Sequence, residues 1–169
     1  MCVYSVSANE VIEKITEKLY PFIDVQFDEV LQLEKIEPTP FQLIEKIKAL
    51  RIEFESLKNY EKRLVFPAVL EMFNAKKNNP NFKSSVNILE LQQLIQRKEN
   101  LIHTMVNDIK VEALKVRKSH PIHALIYTFQ NLFIEEKEKW NVMVNEWNKN
   151  NITFANTITA KDNKHQHAH

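Results

Sequence analysis

The segment from Ser85 to Val116 reads SVNILELQQLIQRKENLIHTMVNDIKVEALKV and decides the fold class. Its apolar residues recur mostly at steps of three and four positions, which places them on one face of a helix. They are Ile88, Leu91, Ile95, Ile102, Val106, Ile109, Ala113 and Val116. We expect Ser85 to cap this helix, and Ser119-His120-Pro121 to end it, because proline disfavours helical geometry in the preceding residue.

Two helices with the same spacing are predicted upstream. The first occupies roughly residues 12–30, and its predicted apolar face comprises Ile12, Ile15, Leu19, Ile23, Phe27 and Val30. Pro21 is expected to kink or restart this helix near Tyr20. The linker Glu37-Pro38-Thr39-Pro40 follows, with Thr39 as the predicted N-cap of the second helix. The apolar face of that helix is predicted to comprise Ile44, Ile47, Leu50, Phe54, Leu57, Leu64, Val65, Leu70 and Phe73.

A fourth helix is predicted to begin at Pro121 and to extend through Trp140 and Trp147, which we expect to be core residues. Short polar linkers between long amphipathic helices favour an all-α fold, an up-down-up-down four-helix bundle. We assign residues 1–150 to the bundle. Residues 151–169 are polar and aperiodic, and are predicted to be a disordered tail.

Glycine is absent from all 169 residues. Glycine-rich phosphate loops, dinucleotide-binding fingerprints and nucleophile elbows are therefore excluded. No serine or aspartate is paired with histidine at a spacing typical of nucleophilic catalysis, so a role without enzymatic activity is favoured. The single Cys2 cannot form an internal disulfide, in keeping with a reducing compartment.

The charges are balanced, with 23 basic and 22 acidic residues and a net charge of +1. This balance gives no basic footprint for nucleic acid and no polybasic membrane anchor. No apolar run approaches the roughly 20 residues that cross a bilayer. We therefore expect a cytoplasmic protein whose partner is an unidentified protein or a second copy of itself.

Three glutamates fall in phase with the apolar faces of three different helices: Glu61, Glu99 and Glu136. Helical bundles build di-iron and di-manganese sites from inward carboxylates, supplemented by histidine. Within the predicted helices only His103 joins them, four residues after Glu99. The candidate metal ligands are therefore Glu61, Glu99, His103 and Glu136, with iron as the metal.

The same glutamates have a second interpretation. Each has a cation within four residues, namely Arg63, Lys98 or Lys137, and glutamates at the wet edge of a helix commonly pair with such groups. In that case the protein holds no metal, and His103 is a partly exposed helical residue.

One stretch resembles a known family. Tyr60-Glu61-Lys62-Arg63-Leu64-Val65-Phe66-Pro67 is similar to the end of the second helix of hemerythrin-like, or HHE cation-binding, proteins, where a His-x-x-x-Glu pair precedes Phe-Pro. Glu61 matches the glutamate ligand, whereas Leu57 stands at the histidine position. Glu99 falls near a histidine position of the third helix. In the fourth helix, the second His-x-x-x-Glu would fall at Ile134 and Glu138, or at Lys139 and Met143.

The resemblance implies a four-helix bundle with a non-haem di-iron centre that binds oxygen or nitric oxide, senses iron, or supports repair of iron centres. Because the matching positions lack the histidines, we expect a degenerate hemerythrin-like bundle without a functional di-iron site, acting as a binding or regulatory protein. The alternative is a metal-binding bundle for oxygen, nitric oxide or iron sensing or storage.

Overall fold

The computed structural model describes residues 3–83 and 87–162, with side chains for 9–83 and 87–148, and all of its regular structure is helical. None of the helices described is long and apolar enough to cross a membrane. In chain order the elements are α1 (Val3–Lys14), π1 (Ile15–Leu19), α2 (Tyr20–Leu33), α3 (Phe41–Tyr60), π2 (Glu61–Val65), α4 (Phe66–Asn78), α5 (Ile88–Ala113) and α6 (Pro121–Asp162).

Two π-helical turns join these elements into four long helices that form an all-α bundle. π1 connects α1 to α2 without a break, and π2 connects α3 to α4 in the same way. Each turn ends one residue before an aromatic-proline pair, Tyr20-Pro21 or Phe66-Pro67. The amide of Tyr20 donates to Ile15 O, five residues back. The helix therefore accommodates a proline, which has no N–H, by widening one turn, where a kink or a restart was predicted.

Each widened turn also shifts the phase of the apolar face. Tyr20 is 1% exposed, whereas its neighbour Leu19, which the spacing placed in the core, is only half-buried. In the second helix Val65 is buried and Leu64 is 61% exposed. The prediction that Leu64 lies in the core is therefore wrong, because the period of 3.6 residues does not hold across a π turn.

Helix ends differ from the prediction in three places. Pro40, not Thr39, is the N-cap of α3. The N-cap of α5 is Asn87, whose side chain accepts a hydrogen bond of 2.8 Å from the amide of Leu89, and the predicted cap Ser85 lies outside the described residues. The backbone of α6 is helical through Asp162, since no proline or glycine stops it, so 151–162 are helical where a tail was predicted. Residues 163–169 lie outside the described residues.

Aromatic side chains fill the centre of the core. Phe54 packs against Tyr20, Phe27 and Phe129, with ring centroids 5.5, 6.0 and 5.3 Å away. Further along the bundle, Trp140 packs against Phe66 and Trp147 against Phe73. Both tryptophans are buried, which confirms their predicted place in the core.

Candidate functional site

Four polar side chains meet inside the bundle, one from each long helix. They are Tyr20, Glu61, Glu99 and Glu136, which we call the carboxyl cluster. Glu61 and Glu136 are fully buried and Tyr20 is 1% exposed, while Glu99 is half-buried. The three glutamates singled out in the sequence thus come together. They are not the exposed, ion-paired residues of the second interpretation, because the ion pairs of the described residues include none of the three.

The cluster is ordered as a chain of hydrogen bonds. The hydroxyl of Tyr20 donates to Glu61 Oε1 and lies 3.2 Å from Glu136 Oε1. Glu99 donates to Glu136 at the other end. A phenol has a single proton, so it donates to one carboxyl group at a time, and its other contact requires a proton on that carboxyl. Tyr20 therefore stands between Glu61 and Glu136 as a hydrogen-bonded bridge.

Burial raises the pKa of all three carboxyl groups. Burial, followed by the charge of Glu136, raises the pKa of Glu99 to about 11. The same two causes raise the pKa of Glu61 well above its usual range. Burial also raises the pKa of Glu136, against the opposing effect of hydrogen bonds from Glu99 and Tyr20. Burial and the neighbouring glutamates raise the pKa of Tyr20, so the pKa of each of the four groups is shifted towards its neutral, protonated form.

Nearby cations do not neutralise the cluster. Lys58, one turn before Glu61, is buried but donates to both oxygens of Asp24, at 2.8 and 2.7 Å, and lies 2.6 Å from Glu55. Three buried polar atoms of this region have no hydrogen-bond partner among the described residues: Glu61 Oε2, Glu136 Oε2 and Trp140 Nε1. A neutral carboxyl oxygen without a partner costs much less than a buried, unpaired charge.

Histidine does not join the cluster. His103 is exposed, and its ring packs edge-on against Phe133 with the centroids 5.5 Å apart. At the position matching the family's histidine, Leu57 is a buried core residue. Among the described residues, no three His, Cys, Asp or Glu side chains are arranged to hold a metal ion. The donors present therefore do not fit the histidine-ligated di-iron centre that the resemblance implies.

Sequence reasoning missed Tyr20. A continuous α-helical period assigns Leu19 to the core, and only the widened turn π1 brings Tyr20 inward. A usable signal was present, since Tyr20-Pro21 parallels Phe66-Pro67 in the other π-containing helix. An aromatic residue before a proline in both helices indicates that a π turn precedes each pair.

Replacing Tyr20 by phenylalanine is expected to destabilise the fold by about 2 kcal/mol, because the ring remains while Glu61 and Glu136 lose a partner. Urea denaturation followed by tryptophan fluorescence measures this loss. Tyr60→Phe is the matched control, since the described residues offer no hydrogen bond to the hydroxyl of Tyr60, and it should change stability by less than about 0.5 kcal/mol. Equal effects of the two substitutions would contradict the bridging role.

Comparisons with known proteins give no relative, since no protein family, no curated protein and no solved structure matches this chain. The hemerythrin-like resemblance therefore rests on the residues of the chain itself.

Proposed function

We propose that this protein is a degenerate hemerythrin-like bundle in which protons, and not a di-iron centre, neutralise the buried carboxyl groups, and that it acts through its surface as a binding or regulatory protein. The observation that carries the proposal is the bridge formed by Tyr20. Its hydroxyl occupies the space between Glu61 and Glu136, so the carboxyl groups bond along a chain and not to a common centre.

Contacts between the helices support the up-down-up-down topology of that family. Between the first and second long helices, Asp28 pairs with Arg51, Asp24 with Lys58 and Tyr20 with Glu61. Residue numbers fall along one helix while they rise along the other, which is the signature of antiparallel neighbours. The second and third long helices show the same trend. Lys46 pairs with Asp108, and further along the second helix Glu53 lines a groove together with Arg97. The third and fourth long helices also show this trend, in the pairs Gln92–Asn141 and His103–Phe133.

A surface role is supported by one end of the bundle. The three most exposed large apolar side chains described are Ile36, Leu114 and Phe41, at 84%, 79% and 76%. Ile36 and Leu114 lie in two linkers that a bidentate ion pair joins, in which Arg117 donates to Glu37 at 2.6 and 2.7 Å, and Phe41 begins the next helix. Apolar side chains concentrated at one place on a surface commonly mark a protein contact.

Elemental analysis tests the metal-free part of the proposal. The full chain would carry His165→Ala, His167→Ala and His169→Ala, so that the terminal histidines contribute no chelation, and would be purified without a nickel column. After incubation with ferrous iron, manganese or zinc and desalting, we expect far less than one metal ion per chain. Near-stoichiometric metal that is lost in Glu61→Gln and Glu99→Gln would overturn the proposal in favour of the metal-binding alternative.

Light scattering tests the surface role. We expect a concentration-dependent mass above that of the monomer, and a monomer when Ile36, Phe41 and Leu114 are all replaced by serine. The control replaces Ile52, Tyr127 and Ile134 by serine; these residues are also exposed but lie within helices, and their replacement should leave the association unchanged. A wild-type protein that stays monomeric at high concentration would exclude self-association through this end.

A further inference from the structure

A groove of about 380 Å³ lies where the two π turns face each other. One wall comes from α1 and π1, with Ile12, Thr16 and Glu17, and the other from π2 and α4, with Lys62, Phe66, Pro67 and Leu70. The groove shares no lining residue with the carboxyl cluster, and the inference drawn from it goes beyond the function proposed above. Its volume is at the small end of the range of ligand pockets, which is about 300–1,000 Å³.

The π turns leave backbone acceptors at this groove. In an α-helix Thr16 O would accept from the amide of Tyr20, but that amide donates to Ile15 O, and the next candidate, Pro21, has no N–H. Lys62 O lacks its helical donors for the same reason. The amide of Phe66 donates to Glu61 O, and the next residue, Pro67, has no N–H. Both Thr16 and Lys62 line the groove, so each wall includes a residue whose carbonyl group lacks its usual helical donors.

Opposite charges flank these acceptors. Glu17 and Lys62 are both exposed, and neither forms an ion pair with a described residue. The ammonium of Lys62 lies 5.9 Å from the ring centroid of Tyr20. Ile12, Phe66 and Leu70 provide an apolar wall. The groove thus combines acceptors and an anion with a cation and an apolar surface.

We propose that this groove binds a small zwitterion with an apolar substituent, of the class of the aliphatic α-amino acids. The ligand's ammonium group donates to the free carbonyl groups and faces Glu17, its carboxylate faces Lys62, and its side chain packs on the apolar wall. A ligand with only one of the two charges leaves the other protein charge, or the backbone acceptors, without a partner. The groove is therefore expected to prefer a ligand that carries both charges over a ligand that carries only one.

Ligand-observed NMR and calorimetry on the full chain test the proposal with three probes. L-leucine carries both charges, 4-methylpentanoate lacks the ammonium group, and 3-methylbutylamine lacks the carboxylate. We expect saturable binding of L-leucine below about 10 mM, and binding of each analogue weakened by about two- to fivefold or more. Absence of saturation by L-leucine at that concentration would overturn the proposal, as would equal binding of all three probes.

Variants locate the binding to the groove. Glu17→Gln and Lys62→Gln should each weaken L-leucine binding by about two- to fivefold, since both charges are exposed to solvent. The matched controls Glu29→Gln and Lys77→Gln, exposed residues away from the groove, should bind as the wild type does. Thr16→Phe should fill the groove and abolish binding while the melting temperature is retained. Unchanged binding in Thr16→Phe would place the ligand elsewhere and refute the assignment.

Discussion

Raising the pH from 5 to 9 is expected to destabilise the folded protein, with a slope set by the carboxyl cluster. The pKa values of Glu61, Glu99 and Glu136 are all raised in the folded state, that of Glu99 to about 11. In the unfolded chain the same groups ionise near pH 4.5. Above that pH the folded state binds more protons than the unfolded state, so stability is fully present below about pH 4.5 and is lost progressively as the pH rises. Glu99, whose pKa in the folded state is about 11, keeps its proton over this range, and that proton lowers the free energy of unfolding by up to about 1.4 kcal/mol for each pH unit of increase.

Urea denaturation at fixed pH values, followed by the fluorescence of the buried tryptophans, measures this slope. Glu99→Gln should flatten it by up to about 1.4 kcal/mol per pH unit, because the amide keeps the shape of the side chain but has no ionisable proton. Glu138→Gln, at an exposed position of α6, is the control and should leave the slope unchanged. Stability that is constant or increases between pH 5 and 9 would show that the cluster is not protonated.

Hydrophobic spacing was sufficient to predict the four helices, because each is long and keeps its apolar face over several turns. It failed where the helix departs from 3.6 residues per turn. Leu64 is exposed and Tyr20 is buried for the same reason, namely a π turn that precedes a proline. Proline in the sequence indicated an interruption at Pro21, but its position alone does not distinguish a kink from a widened turn.

The site was predictable in part, and for a different reason. Glu61, Glu99 and Glu136 each interrupt an apolar face, and a polar residue in that place marks either a helix edge or a buried cluster. The sequence does not distinguish a helix edge from a buried cluster, because a rotation of the helix by a few tens of degrees moves the glutamate from one place to the other. The packing of the helices sets this rotation. His103 shows the limit of the spacing argument, since it follows Glu99 by four residues and yet is exposed.

Replacing Phe54 by alanine is expected to cost about 3–5 kcal/mol of stability, the range for removing a large side chain from a packed core. Phe54 is fully buried and contacts the rings of Tyr20, Phe27 and Phe129, which come from two other helices. The ammonium of Lys58 also lies 4.9 Å from its ring centroid. Few neighbouring groups can move into the space it leaves, because the surrounding aromatic rings are held from several sides.

Phe22→Ala is the matched control, because the same atoms are removed from a side chain that is 55% exposed and lies outside the proposed contact surface, and it should change stability by less than about 0.5 kcal/mol. Phe54→Leu, which restores part of the lost volume, should recover much of the stability. Both the alanine and the leucine variants remove the edge-to-face contact between the rings of Phe54 and Tyr20, so the bridge to Glu61 and Glu136 loses rigidity even where the core is refilled. Tyr20→Phe should therefore lower the free energy of unfolding less in the Phe54→Leu background than in the wild type. A double-mutant cycle measured by urea denaturation gives the difference. Strict additivity would mean that the aromatic core and the carboxyl cluster are independent parts of the bundle.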